Sequence, residues 1–195
     1  VEHNQNTALW HRYAQARAVI QRDCAGCPHV GVVCSRPPFH ALGKSLGVEE
    51  LAKDCNEWFL FHGATREACE GVCRDGFLMR LAGTGATLRA GSKTKRPLYG
   101  WGAYFAEMFT KADEYAGKAG NGHFCMLVCR VVGGRPLVVT EDTIDQQVLK
   151  DKVIHGSHHS VLGDRVQKLG KPYREVVAYD SERIFPEFLV TYQRL

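Results

Sequence analysis

Long apolar runs are missing from this chain of 195 residues. The longest candidate, Phe124 to Val132, has Arg130 inside it and falls well short of the ~18 residues a membrane-spanning helix needs, so no span is predicted. No internal repeat or low-complexity tract occurs, which removes solenoids, propellers and disordered arrays. The opening Val-Glu-His-Asn has neither a basic stub nor an apolar run, so no secretory signal is read there. Charge of one sign is scarce: 25 Lys and Arg stand against 21 Asp and Glu, a formal +4. The one basic cluster, Arg89, Lys93, Lys95 and Arg96, permits a nucleic-acid partner but reads more plainly as a solvated loop.

What is present is a composition 45% apolar, enough for one substantial core, so residues 1–195 are read as one domain. Eight cysteines in a domain of this size are more simply reduced thiols than a disulfide framework, which points to cytosol or nucleus. Cys24, Cys27, His29 and Cys34 include a Cys-x-x-Cys spacing and enough nitrogen and sulfur ligands for a tetrahedral ion. Their second pair is irregular, so metal-free loop thiols are the expectation. Cys69 with Cys73, and Cys125 with Cys129, each share a face and read as small buried hydrophobes.

Asn6 or Thr7 can cap a helix whose apolar stripe is Leu9, Trp10, Tyr13, Ala16 and Ile20. Cys24 to Ser45 is loop chemistry, and Leu46 to Asn56 offers a short helix. Glu57 to Phe61 suits a buried strand, and Thr65 to Arg74 a helix closed by Asp75-Gly76. Leu81 to Gly102 is Gly-rich and basic, a long loop of the kind that is usually functional. Then come a strand at Ala103 to Ala106, a helix from Thr110 to Ala116, and strands at Phe124 to Val132, Leu137 to Thr140, Glu175 to Tyr179 and Phe188 to Tyr192. Few helices without regular strand–helix alternation predict an α+β domain on mainly antiparallel sheets.

Three short segments carry the candidate chemistry. Leu60-Phe61-His62-Gly63-Ala64 ends a strand on a histidine followed by a glycine that admits close backbone approach. Tyr104 and Tyr115, eleven residues apart across a strand-to-helix transition, could close on a flat ring. Glu175 opens an otherwise apolar strand and must face a polar cleft or solvent. Singly, each has a plainer reading: a satisfied structural histidine, two core aromatics, an exposed strand-end glutamate.

Order and wording together change this. His62-Gly63, Tyr104-Phe105-Ala106, Tyr115 and Glu175 resemble the His-Tyr-Glu signature of poly(ADP-ribose) polymerase catalytic domains. The resemblance runs from Asn6–Tyr13 to Phe185–Tyr192, and Gly156–Gly163 and the closing segment are similar to tankyrases. It implies the ADP-ribosyltransferase fold, two mainly antiparallel sheets flanked by short helices, and a transferase that moves ADP-ribose from NAD to an acceptor with release of nicotinamide. Glu175 would then stabilise positive charge on the sugar, His62 would bind the adenosine-side ribose, and Gly63 would pair through its backbone with the carboxamide. Tyr104 and Tyr115 would sandwich the nicotinamide, and Lys111 would hold Glu175 ionised. His62, Tyr104 and Glu175 are thus the catalytic set. NAD binding adds Gly63, Phe105, Ala106, Lys111, Ala112 and Tyr115.

Two departures stand out: Ala112 replaces a serine that the family uses on the carboxamide, and Ala64 replaces a serine or threonine. The insertion that binds zinc in tankyrases shrinks to Gly117–His123 without Cys-x-x-Cys, so no metal is expected there. Leu81 to Arg96 corresponds to a donor loop able to clamp pyrophosphate. The acceptor stays open between a protein side chain, a nucleic-acid end and the chain's own surface, with no membrane partner. An NAD glycohydrolase and a non-catalytic NAD or ADP-ribose-binding module are the competing functions.

Overall fold

The computed structural model describes residues 1–32, 39–82, 97–120 and 122–194. Helix α1, Thr7–Asp23, starts where the Asn6 side chain accepts the Leu9 N–H at 3.1 Å. The same side chain donates to the Cys73 and Arg74 carbonyls and so ties the start of α1 to the end of the helix at Arg66–Asp75. Leu9, Tyr13 and Ile20, one helical face, are buried against Cys24, Cys55, Val132 and Phe185. Helix α2, Phe39–Ser45, lies inside the stretch expected to be loop.

The helix expected over Leu46–Asn56 is not formed beyond a 3-10 turn at Lys53–Cys55. Gly47 and Asn56 adopt left-handed backbone at φ 69° and 51°. The Ala52 N–H bonds to the Glu57 carboxylate, and the Glu49 carbonyl to Arg130. Polar groups that a helix would pair internally are therefore spent on two buried charges. Helix α3, Arg66–Asp75, lies within one residue of the expected Thr65 to Arg74 at each end: Thr65 caps it through Ala68 N, and Gly76 at φ 83° ends it.

Among the described residues eight strands follow the order β1-β8-β4-β2-β3-β7-β6-β5. They are β1 Glu2–His3, β2 Glu57–Gly63, β3 Ala103–Ala106, β4 Phe124–Val132, β5 Pro136–Val139, β6 Ser160–Asp164, β7 Arg174–Ala178 and β8 Ile184–Tyr192. All neighbours are antiparallel except β5 and β6. The α+β class with mainly antiparallel pairing is as expected. The hydrogen-bonded ladder, however, is continuous where two sheets were anticipated. Its two halves are joined between β2 and β3 by the single pair Phe61 and Ala106, whereas β2 and β4 pair over seven positions. The sheet is therefore one ladder that opens at its middle.

Strand β4 is buried on both faces apart from its first residue, and Arg130 within it is fully buried. Its guanidinium donates to Glu57 at 3.0 Å and to Glu187, while Tyr13 donates to Glu57 at 2.5 Å. Burying a side chain such as Leu60 or Val128 stabilises by about 1.5–3 kcal/mol, and a charge tolerates the same place only when paired in this way.

Strand β6 was not anticipated. Ser-Val-Leu-Gly-Asp is short and holds a glycine, but a Cβ at Gly163 would meet the Tyr99 ring at 2.3 Å. The glycine is what lets the buried Tyr99 lie against this strand. Helix α4, Phe109–Asp113, is shorter than expected because Tyr115 N and Ala116 N bond three residues back, to Ala112 and Asp113. Gly117 N then ties the chain to the Ala64 carbonyl. Short helices α5, Gln146–Leu149, continuing into a π-helical turn at Lys150–Ile154, and α6, Val166–Leu169, complete the described chain.

Candidate active site

A cleft of about 700 Å³ lies where the sheet opens between β2 and β3. Its walls come from the end of β2, from β3 and α4, from α3 with the segment to Ala82, and from Glu175 on β7. All nine residues expected to act on NAD line it: His62, Gly63, Tyr104, Phe105, Ala106, Lys111, Ala112, Tyr115 and Glu175. Of the expected donor loop only Leu81 and Ala82 reach it among the described residues; 83–96 lie outside them.

His62 is half-buried near the end of β2, with Nδ1 2.9 Å from the Tyr104 carbonyl. A carbonyl only accepts, so Nδ1 carries the proton and, in the neutral ring, Nε2 is an acceptor. Burial pushes the imidazole below its ordinary pKa, against the opposing pull of that hydrogen bond. Phe77 meets the ring edge-on at 5.0 Å and Phe105 lies at 5.6 Å, which fix its plane. The resulting group is a rigid, neutral acceptor.

Gly63 is required by packing. A Cβ there would lie 1.9 Å from the Ala112 carbonyl oxygen, so the glycine lets α4 rest directly on the end of β2. Ala112 is itself buried and offers only a methyl group to the cleft. The Tyr104 hydroxyl donates to the Gly100 carbonyl and accepts the Tyr99 N–H, both at 2.9 Å. Burial raises its pKa well above the ordinary phenol value. With both bonds satisfied by backbone, Tyr104 offers a ligand its ring face.

Glu175 is almost fully buried. Directly across the ladder it faces Ala106 on β3 and Gly163 on β6. Opposite residues on one face stand about 4.5–5.5 Å apart, so these two small partners leave lateral space around the carboxylate. Arg165, just beyond β6, donates from Nη2 to Glu175 Oε2 at 3.1 Å, and its Nη1 lies 3.4 Å from Asp142. The Arg165 Nε is buried without a hydrogen-bond partner among the described residues.

Lys111, expected beside Glu175, makes its direct ion pair with Glu114 at 3.1 Å, and its Nζ stands 5.2 Å over the Tyr115 ring. Burial opposes its charge, but attraction to Glu175, Tyr115 and Glu114 outweighs that and raises its pKa. Among the described residues Arg165 is thus the direct cation partner, and sequence reading missed it. It lies two residues past Gly163, and only the β6–β7 pairing brings it to the glutamate.

Of the four residues weighed as a metal set and expected to be metal-free thiols and a loop histidine, Cys34 lies outside the described residues and His29 is exposed. Cys24, Cys27, Cys55, Cys69, Cys73, Cys125 and Cys129 are free thiols. Cys69, Cys125 and Cys129 are buried in the core, and Cys73 is half-buried against it. Burial pushes the Cys55 thiol up to about 12, and the charges of Glu57 and Asp54 add to it.

A family model of the poly(ADP-ribose) polymerase catalytic domain matches residues 4–194. The chain belongs to this family, and its general activity is that of an NAD-dependent ADP-ribosyltransferase. No helix among the described residues is long and apolar enough to cross a membrane.

Proposed function

We propose that the chain is a transferase of the His-Tyr-Glu type, in which His62, Tyr104 and Glu175 act together on NAD. The observation that carries this reading is the joint placement of Glu175 between Gly163 and Ala106 and of His62 on the Tyr104 carbonyl, in one cleft. Residues 1–195 are taken as one domain, supported by β1, at the chain start, pairing with β8 near its end.

The bond to break joins nicotinamide to its ribose, and the leaving group is already cationic, so no proton need be supplied to it. Catalysis then rests on positioning and on stabilising positive charge that develops on the sugar. Glu175 supplies that charge complement, and Oε1 is left to accept a ribose hydroxyl while Oε2 is held by Arg165. His62 Nε2 accepts from the adenosine-side ribose, and the Gly63 backbone pairs with the carboxamide. Tyr104 and Tyr115 offer ring faces to a cationic nicotinamide, a contact of about 0.5–2 kcal/mol. Lys111, beside Tyr115, holds the acidic side of the cleft in order. The segments Gly156–Gly163 and Phe185–Tyr192 support a tankyrase-like relationship, and Glu175 is compatible with a poly(ADP-ribose) product. A protein side chain is the acceptor class we favour.

The test is incubation with labelled NAD, following free nicotinamide and acid-precipitable label together, beside Glu175→Gln and Tyr115→Ala. Nicotinamide with retained label, lost in Glu175→Gln, supports the transferase, and product length on a gel separates one unit from many. Nicotinamide without retained label would make the chain a glycohydrolase. Measurable NAD binding with neither product would make it a binding module.

A further inference from the structure

On the side of the fold where α1 ends, a second group of reactive side chains plays no part in the reaction above. Asp23, Cys24 and His159 bring one ligand atom each within 4.8 Å of one another. Cys24 caps the C-terminus of α1 and is buried. Cys27 folds back on it through a turn in which Cys27 N bonds to the Cys24 carbonyl at 2.8 Å and Gly26 adopts φ 82°. Cys27 lies in the same turn, outside the group of three. His159 arrives from 135 residues later, immediately before β6.

We propose that Cys24 and His159 bind a thiophilic divalent cation, zinc being the chemical match, with Cys27 swinging in from the same turn as a further thiolate ligand and Asp23 orienting the imidazole. The geometry of the two best-placed donors supports this. Cys24 Sγ and His159 Nδ1 are 3.6 Å apart. Sulfur and nitrogen ligands on one tetrahedral zinc, at about 2.3 and 2.0–2.1 Å from the metal, are separated by about 3.5–3.6 Å. The far ring nitrogen, Nε2, lies 3.0 Å from Asp23 Oδ2. A histidine that coordinates through one nitrogen and donates from the other to a carboxylate is the usual arrangement of a protein metal ligand.

The imidazole is held in place by more than its ring contacts. His159 N donates to the Arg135 carbonyl and Arg183 donates to the His159 carbonyl, both at 3.0 Å. A Cβ at Gly134 would lie 2.4 Å from His159 Nδ1, so this glycine, at φ 60°, makes the room that the ring occupies. Nδ1 also receives the Arg135 N–H at 3.0 Å, and a metal must displace that bond. A zinc–nitrogen bond to a preformed site outweighs one neutral hydrogen bond. Two thiolates and Asp23 sum to about −3, against about +4 from a divalent ion, Arg135 and Arg183, so the loaded site would carry little net charge. Such a site would clamp the end of α1 to the start of β6.

The site can be tested on the purified chain under reducing conditions, stripped with chelator and titrated with Co²⁺ as the spectroscopic probe. The expected result is one equivalent per chain, with a sulfur-to-cobalt charge-transfer band and visible bands of tetrahedral intensity. Cys24→Ser and His159→Ala should abolish the charge-transfer band or weaken binding by at least about 100-fold, and Asp23→Asn should weaken it by about 10–100-fold. Cys73→Ser, remote from the site, should leave it unchanged. Asp23 and Cys27 are not fully buried, so Asp23→Asn and Cys27→Ser keep the test open if a core variant fails to fold. The proposal is overturned if the wild-type chain takes up no stoichiometric cobalt, if the spectrum is octahedral and without thiolate character, or if Cys27→Ser and Asp23→Asn bind as the wild type does. The group would then be a hydrogen-bonded joint without a metal.

Discussion

Arg165 holds Glu175: the guanidinium Nη2 donates to Oε2 at 3.1 Å from the end of the neighbouring strand, and both groups are largely withdrawn from water. Arg165 is therefore a positioning residue for the carboxylate. A charge-assisted hydrogen bond of this kind contributes about 1.5–3 kcal/mol. Arg165→Ala is expected to lower kcat for nicotinamide release by about 10- to 100-fold, with a smaller change in the KM for NAD. Arg165→Lys should recover only part, because an ammonium lacks the planar fork. Wild-type kcat in Arg165→Ala would remove the role.

Gly63→Ala tests the contact between β2 and α4. Its Cβ would meet the Ala112 carbonyl backbone at 1.9 Å, and backbone cannot swing aside as a flexible side chain can. The expected cost is about 1–3 kcal/mol of stability together with loss of NAD binding. Thermal unfolding and calorimetry read the two effects separately, and an unchanged NAD affinity would contradict the assignment.

Ala112→Ser restores a hydroxyl on the cleft wall where only a methyl group stands now. One neutral hydrogen bond contributes about 0.5–1.5 kcal/mol, so nicotinamide should inhibit about 2- to 10-fold more tightly. Inhibition constants for the two proteins, measured side by side, decide it; equal values would mean that the hydroxyl does not reach the carboxamide.

The His62 imidazole should titrate below the ordinary ~6.5, because burial disfavours its cation. For a histidine whose folded pKa is depressed, the folded state binds fewer protons than the unfolded chain. The stability held above about pH 6.5 is then lost as the pH falls through that value and toward the folded pKa. Protonation also turns Nε2 from acceptor to donor, so NAD affinity should fall as the pH drops through the depressed folded pKa, at the acid end of that window. Histidine titration followed by NMR gives the midpoint, and a value at or above 6.5 would sink the prediction.

Arg130→Met should destabilise the chain by about 3–5 kcal/mol, since it leaves Glu57 and Glu187 buried without their shared cation. Denaturant unfolding at neutral pH measures this, and a loss under about 1 kcal/mol would mean that the two carboxylates find other partners.

Much of the frame was legible beforehand. The strand at Phe124–Val132 could be read from its apolar run, and α3 from its closing Asp75-Gly76, because these signals are local. Elements whose stability comes from distant partners were not legible in the same way. The helix expected over Leu46–Asn56 gave way to bonds with Glu57 and Arg130, and β6 depends on Tyr99 filling the space left by Gly163. The single-pair junction between β2 and β3 likewise turned two expected sheets into one ladder.

By itself, the order of His62, Tyr104, Tyr115 and Glu175 in the chain was enough to point to the family and to the nine cleft residues, since motif wording survives without coordinates. Tertiary structure alone decided which cation holds Glu175, that Tyr104 has no hydroxyl to spare, and that His159 rather than Cys34 stands beside Cys24. Each of these depends on strand register and on segments far apart along the chain, and local residue patterns carry no information about such distances.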